Sequence, residues 1–162
     1  MNSRYPGFDV LTKRSGPSWD AVTRSVLDLR MNNVGAPVFF NHEERATLEA
    51  ICARVVPQSP NQEAVPLAAI VEVKVAQHLG DGYRDARLPP LQMAWRTGLA
   101  ALVAEAQRRY QCPFVDLNGA EQDELLRCAE RGELGDAAWQ GMPSDVFFSE
   151  RLLHDITAAY YR

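Results

Sequence analysis

The sequence predicts an all-α protein: an irregular bundle of about six helices behind an extended N-terminal arm. Three observations carry this expectation. Residues 39–59, FFNHEERATLEAICARVVPQS, hold one complete helix with its start and stop written in. A second start signal of the same kind recurs at Asn118, with Glu121 three residues on. No two segments read as strands that could pair, and a lone strand would have no sheet to join.

The expected division is an arm over residues 1–17 and one helical domain over 18–162. The arm has no periodicity. Tyr5, Phe8, Val10 and Leu11 stand among Pro6, Gly7, Gly16 and Pro17, more apolar groups than a solvated tail carries. Such an arm either folds back on its own domain or lies on a partner. Ser18 is placed to cap a helix beginning at Trp19, whose stripe is Val22, Val26, Leu27 and Leu29. Asn32-Asn33 and Gly35-Ala36-Pro37 stop it. In the next helix Asn41 takes the N-cap position and Glu44 closes a capping box. Leu48, Ile51, Cys52 and Val55 recur at helical spacing, and Pro57 ends the run. Residues 58–63 read as a loop.

A third helix is expected from Pro66 to Leu79, with Gly80 just past its end. Its Leu67, Ile70, Val71, Val73 and Val75 also suit a strand, but the run is long and has nothing to pair with. Asp81 to Leu88 is a polar turn. Pro89-Pro90 opens the longest helix, Leu91 to Tyr110, with Met93, Trp95, Leu99, Leu102, Val103 and Ala106 as its apolar positions. Gly98 inside it costs about 1 kcal/mol against alanine, which a close helix crossing would explain. Cys112 to Leu117 reads as a short extended piece. Asn118 and Glu121 frame the next helix, with Leu125, Leu126 and Cys128 facing inward and Gly132 and Gly135 ending it. A loop containing Trp139 leads to Pro143 and Ser144. These introduce a last helix, Asp145 to Tyr161, with Val146, Phe147, Leu152, Leu153, Ile156 and Tyr160 as its apolar positions.

The composition, 46% hydrophobic and 23% charged, is that of a folded soluble domain. A formal net charge of −4 argues against a general nucleic-acid binder, which needs a positive surface. Arg108-Arg109 sits at a helix end, where it complements the helix dipole. No apolar run approaches the ~20 residues that span a bilayer. The N-terminal stretch lacks the apolar core of a secretory signal, so a cytoplasmic location is expected. Of the three cysteines, Cys52 and Cys128 fall in apolar patterns as small core residues, and Cys112 is the most open.

Reactive constellations are not found. His42, His78 and His154 have no glutamate three residues before them, so the Glu-x-x-His pattern of a di-iron bundle is absent. Glu150 and His154 are one helical turn apart, a spacing more often used for a surface hydrogen bond than for metal ligation. There is no Gly-x-Ser-x-Gly elbow. Gly80-Asp81-Gly82 ends a helix, whereas a dinucleotide fingerprint opens one. No catalytic, cofactor-binding or metal-binding residue is assigned to this chain. The aromatic residues carry more information. Phe39-Phe40, Phe147-Phe148 and Tyr160-Tyr161 are adjacent pairs, and neighbours on a helix point about 100° apart. One member can enter the core while the other covers a different surface, either as a broad core or as an anchor for a partner. The expected interface residues are Tyr5, Phe8, Trp19, Phe40, Trp95, Phe148 and Tyr161.

Five segments, in their order, resemble a known family. They are YPGFDVLTKRSGPSWDAVTRSVL near the N-terminus, FFNHEERATLEAICARVVPQ, the Pro89–Tyr110 helix, FVDLNGAEQDELL, and VFFSERLLHDITAAYYR at the end. Their arrangement is similar to that of the gluconate 2-dehydrogenase subunit 3 family, the small subunit of flavin-dependent dehydrogenase complexes. The resemblance implies a non-catalytic helical subunit with no cofactor of its own. Its partner would be a large flavoprotein of the glucose–methanol–choline type, holding FAD and oxidising a sugar or polyol. In periplasmic versions of the complex an electron-accepting cytochrome is added, and the small subunit often carries a twin-arginine signal. No such signal is read here. The sequence ends just after Tyr160-Tyr161, where relatives often continue with a glycine- and proline-bearing tail. The residues alone leave a second expectation open, a self-contained helical regulator or homo-oligomeric interaction module.

Overall fold

The computed structural model describes residues 39–59, 64–79, 82 and 84–161. The expected arm and the helix expected from Trp19 lie outside these residues. All regular structure among the described residues is helical.

Helix α1, His42–Val55, is closed at its start by the capping box expected of it. Asn41 Oδ1 accepts from the Glu44 amide at 2.8 Å, and Glu44 Oε2 accepts from the Asn41 amide at 2.9 Å. Helix α2, Leu67–Ala76, begins directly after Pro66. Every residue of α2 is buried or half-buried, as befits a helix that is apolar all round. Helix α3, Leu91–Tyr110, runs as read. Helix α4, Gly119–Glu130, opens with the second capping box, Asn118 with Glu121.

Two connections differ from expectation. The stretch after Cys112 is not extended: Phe114–Asp116 forms a 3₁₀ turn, with the Asp116 amide donating to the Pro113 carbonyl at 3.0 Å. The tight turn tucks Phe114 into the core. The expected loop around Trp139 contains another such turn, Ala137–Trp139, capped by Asp136, whose Oδ1 accepts from the Ala138 amide at 2.8 Å. It buries the Trp139 ring.

The last helix is one continuous rod with an irregular middle. Helix α5, Ser144–Phe147, passes into a π-helical segment, Phe148–Leu153, and then into α6, His154–Tyr161. Side chains compete for backbone acceptors here. Ser149 Oγ donates to the Asp145 carbonyl at 2.9 Å, the group that the Ser149 amide would use in an α-helix. A side chain inserted into the ladder in this way is one cause of irregular helical turns.

Helix α3 lies at the centre, touching α1, α2, α4 and α5. A line of rings set edge to face runs through the core. Phe39 meets Phe40 at 5.0 Å between centroids, Phe40 meets Trp95 at 6.3 Å, Trp95 meets Phe147 at 5.7 Å, and Phe147 meets Trp139 at 5.8 Å. Gly98 explains how α5 reaches α3, because a Cβ there would overlap the Phe147 ring. The close crossing expected at Gly98 is therefore present.

Three buried carboxylates tie the elements together. Glu72 Oε1, on α2, accepts from the Phe39 and Phe40 amides at 3.0 Å each, and Oε2 from Arg45 Nη1 at 2.9 Å. Asp155, on α6, accepts from Lys74 Nζ at 2.8 Å and from Trp95 Nε1 at 3.0 Å. Glu105, on α3, accepts from the Gly135 and Asp136 amides at 3.0 and 2.9 Å and pairs with Arg108. Each such group satisfies its charge locally, the condition for burying it at tolerable cost.

Candidate partner-binding surface

The seven residues expected at an interface fall into three groups. Tyr5, Phe8 and Trp19 lie outside the described residues. Phe40 and Trp95 are core residues, 2% and 0% exposed, which corrects the expectation for both. Phe40 packs on Trp95, and the indole N–H of Trp95 is used by Asp155, so neither ring has surface to offer. Phe148 is half-buried and Tyr161 is 84% exposed. Two of the adjacent aromatic pairs divide as expected: Phe40 and Phe147 enter the core while Phe39 and Phe148 remain half-buried. In the third pair both Tyr160 and Tyr161 are exposed.

Other apolar positions also face outward. Met93 was expected in the stripe of α3 but is 56% exposed. It lies two residues from Trp95, about 200° round the helix, and so on the opposite side. Leu153, one of the apolar positions of the expected last helix, is 40% exposed. That helix was expected to be regular from Asp145 onward, and the π segment changes its phase.

That change of phase builds a groove. A π-helix closes i→i+5 hydrogen bonds, so it takes more than four residues per turn. Residues five apart then lie roughly above one another, whereas on an α-helix they point about 140° apart. Phe148 and Leu153 are five apart and line the same depression, of about 300 Å³. Val55 from the end of α1 and Leu126 from α4 complete its apolar lining. The charged lining residues are mostly engaged. Arg54 grips Asp123 with two bonds, of 2.7 and 2.6 Å, from Nε and Nη2. This pair raises the Arg54 pKa and holds the Asp123 carboxyl below its ordinary range, in each case chiefly through the side-chain hydrogen bond. Arg127 lies 3.5 Å from Glu124. Glu130, also on the groove, forms no ion pair among the described residues.

A second depression, of about 270 Å³, lies at the start of α3. It is bordered by Arg87, Pro89, Met93, Trp139 and Met142. Arg87 is held by Asp85, whose pKa falls to about 2 because of that side-chain bond and the Arg87 amide. Among the described residues, Trp139 Nε1, Ser144 Oγ and Arg151 Nε are buried without a hydrogen-bond partner. The Trp139 indole stands edge to face with Phe147.

His154 Nδ1 lies 3.1 Å from Asp155 Oδ1. Among the described residues, no group of three or more histidine, cysteine, aspartate or glutamate side chains is placed to hold a metal. Cys52 is buried as expected, and burial, with Glu49 nearby, pushes its thiol up to about 12. Cys128 is buried too, but its surroundings are polar, which its apolar pattern did not reveal. Arg109 Nη1 approaches Sγ at 3.1 Å and Arg131 Nη2 at 3.5 Å. No helix among the described residues is long and apolar enough to cross a membrane.

These features define an all-α domain whose buried carboxylates tie its helices together and which leaves several apolar side chains exposed. The family model described as gluconate 2-dehydrogenase subunit 3 matches residues 42–162. The chain belongs to that family, whose members are subunits of an oxidoreductase complex. Neither a curated protein nor a solved structure matches it.

Proposed function

We propose that this chain is a non-catalytic small subunit that binds, stabilises and helps mature the FAD-containing catalytic subunit of a sugar or polyol dehydrogenase. The family match over residues 42–162 carries this proposal. Two features of the structure support it. The buried carboxylates are all engaged in holding helices together. Leu153, Tyr160 and Tyr161 leave apolar surface at the end of the rod. A subunit that binds only the folded form of its partner shifts the partner's folding equilibrium by mass action. FAD is assigned to the partner, a glucose–methanol–choline type flavoprotein.

The test is co-expression with a glucose–methanol–choline type flavoprotein from the same source organism. The expected result is a yellow complex of the two chains, with soluble flavoprotein falling at least about tenfold when this chain is omitted. A flavoprotein that folds, binds FAD and stays unbound whether or not this chain is present would overturn the proposal. The competing function, a self-contained helical module, gains from one observation: five aromatic rings are already enclosed in this chain's own core. It expects a colourless homo-oligomer.

A further inference from the structure

Resting on the subunit function proposed above, we infer that the groove between the end of α1, α4 and the π segment is where the larger subunit docks. Its occupant is an apolar or aromatic side chain, flanked in the partner by a lysine or arginine.

Size, shape and charge argue for this occupant. An apolar cavity of about 150 Å³ accommodates a benzene-sized group. At about 300 Å³ the groove takes one ring and part of a neighbouring side chain. It sits at the lower limit for small-molecule pockets, which run from about 300 to 1,000 Å³. Four apolar side chains, Val55, Leu126, Phe148 and Leu153, line it. Interface anchors are large side chains seated in such pockets and ringed by groups that exclude water. The ring of groups is present here. Arg54 and Asp123 neutralise each other across one side, and Glu124 engages Arg127. Glu130 is left as the carboxylate on the groove without an ion pair among the described residues. A bare anion beside an apolar depression favours a basic group next to the inserted side chain and disfavours an acidic one.

The groove also continues along α6. Thr157 follows Leu153 by four residues, and Tyr160 and Tyr161 follow by seven and eight, so these side chains share a side of the helix. Thr157 is half-buried, and Tyr160 and Tyr161 are exposed. The apolar surface thus extends from a pocket into a stripe, the form that receives an elongated partner segment rather than a free small molecule.

The test compares how strongly a glucose–methanol–choline type flavoprotein from the same source organism, co-expressed with this chain, is retained by tagged variants of the full chain. Leu153→Asp places a charge at an exposed position of the groove. It is expected to weaken binding at least about tenfold, as loss of an anchor contact does. Glu130→Lys is expected to weaken it about threefold or more, with the difference shrinking in high salt. Met93→Asp, at the depression by the start of α3, is expected to stay within about twofold of the parent chain. Far-UV circular dichroism and the melting temperature establish that each variant folds. No binding by the unaltered chain would overturn the subunit function itself. Binding by the unaltered chain that survives Leu153→Asp, or that Met93→Asp weakens as much, would overturn the groove alone. A concentration-dependent self-association of the isolated chain that Leu153→Asp abolishes would assign the groove to a second copy, and would overturn the proposal as well.

Discussion

Glu105 shows how a single side chain sets a pH limit on this protein. Burial pushes its carboxyl up, but the Arg108 bond, the Asp136 amide and the charges of Arg108 and Arg109 outweigh it and hold the pKa below its ordinary value of 4.5. The sign follows directly. The unfolded chain takes up the proton first, so the stabilisation is complete above the ordinary value and is lost as pH falls through the depressed one. Glu105→Gln is expected to melt at lower temperature at pH 7. Below pH 4.5 its melting temperature should fall less with acid than that of the parent chain, as calorimetry over that range would read. Identical pH profiles would show that the group plays no such part. Little of this was legible in the sequence. Glu105 sits among alanines, and its partners Gly135 and Asp136 lie 30 and 31 residues away.

At the scale of the helix, local signals were legible and long-range ones were not. Both capping boxes could be read because each is complete within four residues. Helix α3 could be bounded because Pro90 precedes it and alanines fill it. Gly98 announced a close contact without saying with what, and Phe147 proved to be the neighbour. Gly98→Ala should therefore cost stability even though alanine is the better helix former. Overpacking of about 1–3 kcal/mol exceeds the propensity gain of about 1 kcal/mol. The expected outcome is a lower melting temperature, and an equal or higher one would mean that the Phe147 ring moves aside without cost. The π segment had no comparable signal. Ser149 Oγ takes the Asp145 carbonyl at its start, but Thr157 Oγ1 bonds the Leu153 carbonyl in the same way beside a regular helix, so such a residue does not mark a wide turn by itself. Phe40 and Trp95 were misplaced because an aromatic ring, whether just before a helix or within one, can face in or out, and only its neighbours decide.

For the whole molecule, the ion pair between Lys74 and Asp155 is a long-range tie among the described residues, joining α2 to α6 across 81 residues of sequence. Trp95 brings α3 into the same cluster. Replacing Lys74 with methionine keeps the apolar stem but leaves Asp155, with a fully buried side chain, without its ammonium partner. Breaking a buried pair from one side costs about 3–5 kcal/mol. Lys74→Met is therefore expected to reduce unfolding free energy by roughly 3 kcal/mol in urea titration. Lys74→Met combined with Asp155→Asn should recover part of the loss. A single variant as stable as the parent would show that the Trp95 indole N–H and the His154 ring suffice for the carboxylate.

The wide turn between α5 and α6 has a consequence for how relatives of this chain should be lined up. A surplus residue accommodated in one broad loop of backbone leaves the rods on either side undisturbed. Ancestral gain or loss of a single codon in that stretch would thus be nearly silent for the framework while re-aiming Phe148 and Leu153. Family members differing in length by one residue between these positions would share the same skeleton yet offer different grips.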